Sequence, residues 1–448
     1  MNYLPNTDAD RKQMLAAIGV ESVDDLFACI PKDVRFDRAL DVPEPMAELS
    51  LLRHMQRLAN CNINTEQMVS FLGGGIYDHY LPSAVDHIIS RGEFFTAYTP
   101  YQPEVSQGTL QAVFEYQTMV AELTGMDAAN ASMYDGATAL AEAAMMARRV
   151  GRKGKRVVMS TSIHPEYRQV VHTYLHGQGW EIVEVPTREG ITDVEALEEA
   201  VNEDTFAVLM QNPNFFGLLE PVTAFEALVS TFKTAQLVVA CDPISLGVLR
   251  PPSTYGANIV VGEGQPLGNP MSFGGPHLGF FAADKRHMRS MPGRIIGQTQ
   301  DVEGRRGFVM TLQTREQHIR RERATSNICS NEALNALAAT VYLSLMGKQG
   351  FQEVAQQTTQ KAHYAAKAIA ELPGFELAFD QPFFKEFVIK GPGPANKLIE
   401  KLLDDEILAG VDLGRFDDTM SDCLLVAVTE KRTKEEIDYF VERLGESK

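Results

Sequence analysis

The chain has 448 residues, 44% of them apolar and 22% charged, with a net charge of −18. That length allows two or three domains, and so acidic a surface argues against partners with a phosphate backbone. No run approaches the ~18 apolar residues of a membrane span. The start, MNYLPNTDADRKQM, lacks a secretory apolar segment, and five scattered cysteines without a C-x-x-C predict a reducing cytoplasm, not a disulfide framework or a zinc site.

The first stretch, 1–65, reads as a helical arm. Thr7 or Asp8 can cap a helix carrying Met14, Leu15 and Ile18, and SVDDLFACI is a second helical run ending before Pro31. A third run spaces Met46, Leu49, Leu52 and Met55 three apart. Short helices are marginal alone, so the arm must pack against something. The glycine cluster Gly73 to Gly75 reads as a tight loop joining arm to domain.

From about Phe94 the texture changes. A helix with Leu110, Val113, Phe114, Val120 and Leu123 leads to a short strand, a turn at Asp135-Gly136 and an alanine-rich helix. Then KRVVMST, WEIVEVP, TFAVLMQ, LVVACD and ANIVVGE alternate with amphipathic segments. Continuous apolar strands between helices predict a parallel sheet covered on both faces, which binds ligands beyond its C-terminal strand ends. The expected large α/β domain spans 66–325. A smaller α/β domain over 326–448 follows, with strands FKEFVIKG and DCLLVAVT among helices.

Several strand ends carry candidate chemistry. Asp135, Gly136, Ala137 and Thr138 open a helix, where free N–H groups and the helix dipole favour an anion such as phosphate; a plainly capped turn is the other reading. His164, after a strand, can stack on a flat ligand or sit in a solvated loop. Asp242, ending LVVACD, can hold a cationic ring nitrogen or cap its own turn. The loop from Gln211 to Glu220 can offer amides to a ligand edge or simply shape its turn. Nothing in the spacing suggests a metal site.

Anion turn, ring stacker and carboxylate in that order resemble the fold-type I enzymes that use pyridoxal 5'-phosphate. Such enzymes also need a lysine one strand later. None lies between Asp242 and Lys285. The strings FLGGGIYDHYLP, TAYTPYQPEVSQGTLQ, SMYDGATALAEA, NPNFFGLLEP, VGEGQPLGNPMSFGGPHLGFFA and TREQHIRRERATSNIC resemble the glycine cleavage system P-protein family, in its N-terminal-type half. The resemblance runs end to end.

It implies an α/β fold of the pyridoxal-phosphate transferase type, with a large mostly parallel sheet, a small C-terminal domain and a helical arm. It places Gln265 where the lysine belongs, and an amide cannot form a Schiff base. Asp135, Gly136, Ala137, Thr138, His164, Asp242 and Gln265 would then be a degenerate shell. The pyridoxal 5'-phosphate would be carried by a homologous partner subunit in an α2β2 complex. That complex would decarboxylate glycine and pass the aminomethyl group to the lipoyl group of H-protein. This chain, inactive alone, would lend residues to its partner's site, with Tyr98, Tyr101, Gln102, Arg320 and Arg321 as candidates. The rivals are a self-sufficient enzyme using Lys285 and a purely structural or regulatory scaffold.

Overall fold

A computed structural model of the chain describes residues 5–36, 38–151 and 153–446. It divides into two compact units, Met1–Ile63 and Asn64–Lys448.

In the first unit Thr7 caps helix Asp8–Ile18 and shares a capping box with Asp10. The second helical run shortens to a 3-10 turn, Asp24–Phe27. There the Asp25 carboxylate accepts the Glu21 and Ser22 N–H groups, a local bond that competes with the helix. The third helix is Glu48–Ala59, which leaves Met46 outside. None of the described residues of this unit is buried. Leu49, Leu52 and Met55 share a helical face and remain exposed.

The second unit is built on a seven-stranded sheet. Its order is Ala128–Ala129, Gly279–Ala283, Ile259–Glu263, Gln236–Ala240, Thr205–Gln211, Arg156–Ser160, Glu181–Val185. The last five run parallel to one another. Every residue of Gln236–Ala240 and Ile259–Glu263 is buried, which is why they read as unbroken apolar runs. Gly279–Ala283 is antiparallel to both of its neighbours. Helix Gly136–Gly151 buries Ala139, Ala143, Ala144 and Ala147, small side chains that let it lie close to the sheet.

Beyond the sheet, helix Ala333–Ala370 is interrupted at Gly347, whose φ of 55° only glycine adopts cheaply. Four antiparallel strands follow in the order Glu376–Leu377, Glu386–Lys390, Cys423–Ala427, Val411–Asp412. Val69–Ser70 pairs with Ile407–Leu408, so the segment opening this unit is stitched to its C-terminal part. Among the described residues no helix is long and apolar enough to cross a membrane.

Candidate functional site

Gln236–Ala240 and Ile259–Glu263 are adjacent parallel strands, so the residues just past them meet at one end of the sheet. Glu263 closes its strand with the carboxylate turned onto the start of helix Gly136–Gly151. It accepts Gly136 N–H at 3.0 Å, Gln265 N–H at 3.0 Å and Leu278 N–H at 2.9 Å. The anion turn is thus already occupied by a carboxyl group supplied by the chain. Asp135 caps the same helix, its Oδ1 accepting Thr138 N–H at 2.8 Å. A Cβ at Gly136 would strike the Tyr167 hydroxyl, so the turn requires glycine.

His164 caps helix Pro165–Leu175 through Nδ1, which accepts Glu166 N–H at 3.1 Å. Its Nε2 donates to the Gly74 carbonyl at 2.8 Å. The ring stacks on Tyr167 with centroids 5.0 Å apart. Burial lowers the His164 pKa, so near neutrality the ring is uncharged, as this bonding pattern requires. Tyr167 covers a face of the ring that sequence grounds left open to a flat ligand, and the Gly74 carbonyl takes up its Nε2 edge.

Asp242 pairs with Lys385, Nζ to Oδ2 at 2.6 Å, and its other oxygen caps Ile244 N–H at 2.9 Å. The Lys385 side chain is 2% exposed. Its ammonium lies 3.3 Å from the Tyr77 ring centroid and 3.1 Å from His79 Nε2. An ammonium can only donate, so His79 accepts at Nε2 and donates from Nδ1 to Glu430 at 2.6 Å. The result is a buried relay of Asp242, Lys385, His79 and Glu430.

Gln265 is 1% exposed and fully engaged. Its amide accepts Tyr77 N–H at 3.0 Å and donates to the Tyr77 and Asn269 carbonyls at 3.1 and 2.8 Å. The Tyr77 hydroxyl donates to Glu386 at 2.8 Å, and Glu386 also accepts Gly74 N–H at 2.7 Å. A Cβ at Gly73 would strike the Glu386 carboxylate and one at Gly217 its carbonyl. The glycine cluster is therefore more than a joint: it threads through the candidate site.

Burial pushes the carboxyls of Glu263 and Glu386 up to about 7, against hydrogen bonds that pull them down. Their ordinary value is 4.5. The stability these groups give is complete below that value and is lost as pH rises through about 7, when each must ionise while buried. Glu263→Gln should therefore flatten the fall in unfolding free energy between about pH 5 and about pH 8 by roughly 2–3 kcal/mol. Denaturant titrations across that range measure it, and an unchanged slope would mean the carboxylate is ionised throughout.

The candidate contributors to a partner's site lie elsewhere. Tyr98 is 86% exposed, and Tyr101 and Gln102 are also exposed. The Tyr101 ring meets His318 edge-on at 6.1 Å, so the tyrosine and arginine segments are neighbours. Beside them a cavity of about 180 Å3 is lined by Phe94, Tyr98, Pro100, Arg294 and Leu337. The arginine segment is not one helix. It is broken into Gln313–Arg315, Gln317–Arg320 and Arg321–Arg323, with Arg321 at a φ of 53°. Arg315 is buried and holds the Met291 and Gly293 carbonyls, so it is structural. Arg320 and Arg321 remain exposed.

Lys285 starts the turn after Gly279–Ala283 and is exposed. Because that strand runs antiparallel, with Ala283 opposite Ile259, Lys285 lies at the far end of the sheet from Glu263. It cannot serve this site. Among the described residues no group of three or more His, Cys, Asp or Glu is placed to hold a metal.

Sequence reasoning missed Glu263, Tyr77, Tyr167, Lys385, Glu386, His79 and Glu430. Two signals were available. Glu263 ends an apolar run just as Asp242 does, and Lys385-Glu386 is a charged pair at the head of the apolar FVI run. The residues present do not fit pyridoxal phosphate: a carboxylate stands on the anion turn, a tyrosine on His164 and an ammonium on Asp242.

The sheet and the placement of its strand ends define the fold-type I class, the fold of pyridoxal-phosphate enzymes. A glutamate decarboxylase structure from Lactobacillus brevis superposes with a TM-score of 0.68, covering 93% of this chain and 95% of that one at 13% identity, which shows the fold alone. The chain belongs to the glycine cleavage system P-protein family, whose model matches residues 1–444. It is 56% identical to a probable glycine dehydrogenase (decarboxylating) subunit 1 from Carboxydothermus hydrogenoformans, over 99% of both chains. A crystal structure of glycine decarboxylase (P-protein) in inhibitor-bound form matches with a TM-score of 0.90 and 43% identity, covering 100% of each chain.

Proposed function

We propose that this chain is the cofactor-free subunit of a cytoplasmic glycine decarboxylase. Its homologous partner carries the pyridoxal 5'-phosphate, and the two assemble as an α2β2 heterotetramer. The complex releases CO2 from glycine and passes the aminomethyl group to the lipoyl group of H-protein. The observation that carries this reading is the self-filled strand-end site in a member of the P-protein family. A chain that cannot seat the cofactor contributes surface instead. Two features support that: the helical unit, none of whose described residues is buried, and the exposed patch of Tyr98, Tyr101, Gln102, Arg320 and Arg321.

The chain alone should show no glycine-dependent exchange of CO2. Mixed with the lysine-bearing homologue it should gain that activity and migrate with the mass of two copies of each chain. Separate migration of the two chains at micromolar concentration would overturn the subunit reading.

A further inference from the structure

Three kinds of contact recognise pyridoxal phosphate on this fold: N–H donors on the phosphate, an aromatic neighbour on the ring and a carboxylate on the ring nitrogen. All three recognition groups persist here, and each is engaged by the chain itself. The Gly136 N–H binds the Glu263 carboxylate. His164 stacks on Tyr167, whose hydroxyl reaches toward the Gly136 turn. Asp242 binds the Lys385 ammonium, which in turn caps the Tyr77 ring. The fourth position, that of the missing lysine, is Gln265, and its amide grips both backbone groups of Tyr77.

We propose that the site is a closed clamp, in which Glu263, Tyr167 with Tyr77, and Lys385 stand in for the phosphate, ring and ring nitrogen of the lost cofactor. The clamp joins three parts of the chain that are distant in sequence. The loop around Gly73 to His79 lies between the sheet ends and the C-terminal strand Glu386–Lys390. Phe384 N–H donates to the Gly217 carbonyl, and Thr429 Oγ1 to the Asp78 carbonyl. Asp78 is itself held by Lys431 and Arg432. The clamp thus fixes the C-terminal sheet on the large sheet. It follows that Gln265 is not what keeps pyridoxal phosphate out. Restoring the lysine leaves the phosphate, ring and nitrogen positions taken. The proposal stands independently of whether the reconstituted complex decarboxylates glycine.

Two measurements test it. The full chain carrying Gln265→Lys, mixed with excess pyridoxal phosphate, should develop no imine absorbance beyond that of the wild-type chain, and borohydride should fix no adduct at position 265. An absorbance band together with an adduct at that position would show an open pocket and overturn the clamp. The second measurement is hydrogen exchange in the full chain with Lys385→Met. Residues 72–80 and 384–388 should lose protection together, by about tenfold or more, the equivalent of ~1.4 kcal/mol. Loss confined to 384–388 would overturn the proposal. Should Lys385→Met fail to fold, Tyr77→Phe removes only the hydroxyl bond to Glu386. It should loosen the same two segments together, and unchanged protection in both would overturn the clamp.

Discussion

Lys385→Met should destabilise the chain by about 3–5 kcal/mol, the usual cost of removing one member of a buried ion pair. The cause is what stays behind. Asp242 is almost as enclosed as Lys385, with 11% of its side chain exposed, and would keep a charge with only the Ile244 N–H to satisfy it. His79 would lose the donor on Nε2, and the Tyr77 ring would lose its cation. Methionine fills much of the volume, so the loss reports charge, not a cavity. Adding Asp242→Asn to Lys385→Met should recover a large part of the loss, because no unpaired charge then remains. Urea unfolding of the two single variants and the double gives the coupling directly. Wild-type stability in Lys385→Met would show that the pair contributes nothing.

Arg321→Ala should cut glycine decarboxylation by the reconstituted complex at least thirtyfold while assembly survives. A guanidinium that holds a carboxylate or phosphate in a partly desolvated interface carries about 2–5 kcal/mol, and ~1.4 kcal/mol is tenfold. Two observations favour Arg321 over Arg320. Arg320 Nε already donates to the Thr314 carbonyl at 3.0 Å, whereas the Arg321 guanidinium makes no hydrogen bond among the described residues. Arg321 is also held at a φ of 53°, a conformation costly for a non-glycine residue and often retained where a side chain must point in a set direction. Arg321→Lys should restore part of the rate, since it keeps the charge but loses the planar fork. A surface arginine would cost under about 1 kcal/mol, so full activity in Arg321→Ala and Arg320→Ala would leave the segment a solvated face and favour the scaffold reading.

The order of the elements was legible because burial on both faces writes itself as unbroken apolar runs such as QLVVA and IVVGE. Asp242 stood out for the same reason, as a polar residue directly after such a run, whereas Gln265 emerged only from the family resemblance. The strand direction of Gly279–Ala283 left no mark, since an apolar run reads alike in either sense. The left-handed Arg321 breaks the arginine segment into short turns, and nothing in the sequence signals that. The filling of the site was least legible of all. Lys385 and Tyr77 reach Asp242 and Gln265 only through tertiary packing, from opposite ends of the second unit. A lysine beside a glutamate ahead of an apolar strand reads as a solvated edge until the fold brings a carboxylate to meet it.

A site filled from its own chain also frees folding from nutrition. A protein that binds its cofactor only when folded gains stability as the free cofactor rises, so its folded fraction follows the supply of the vitamin. Here Glu263, Tyr167, Tyr77 and Lys385 are supplied with the chain at synthesis. The melting temperature of this chain by itself should therefore not rise with added pyridoxal phosphate.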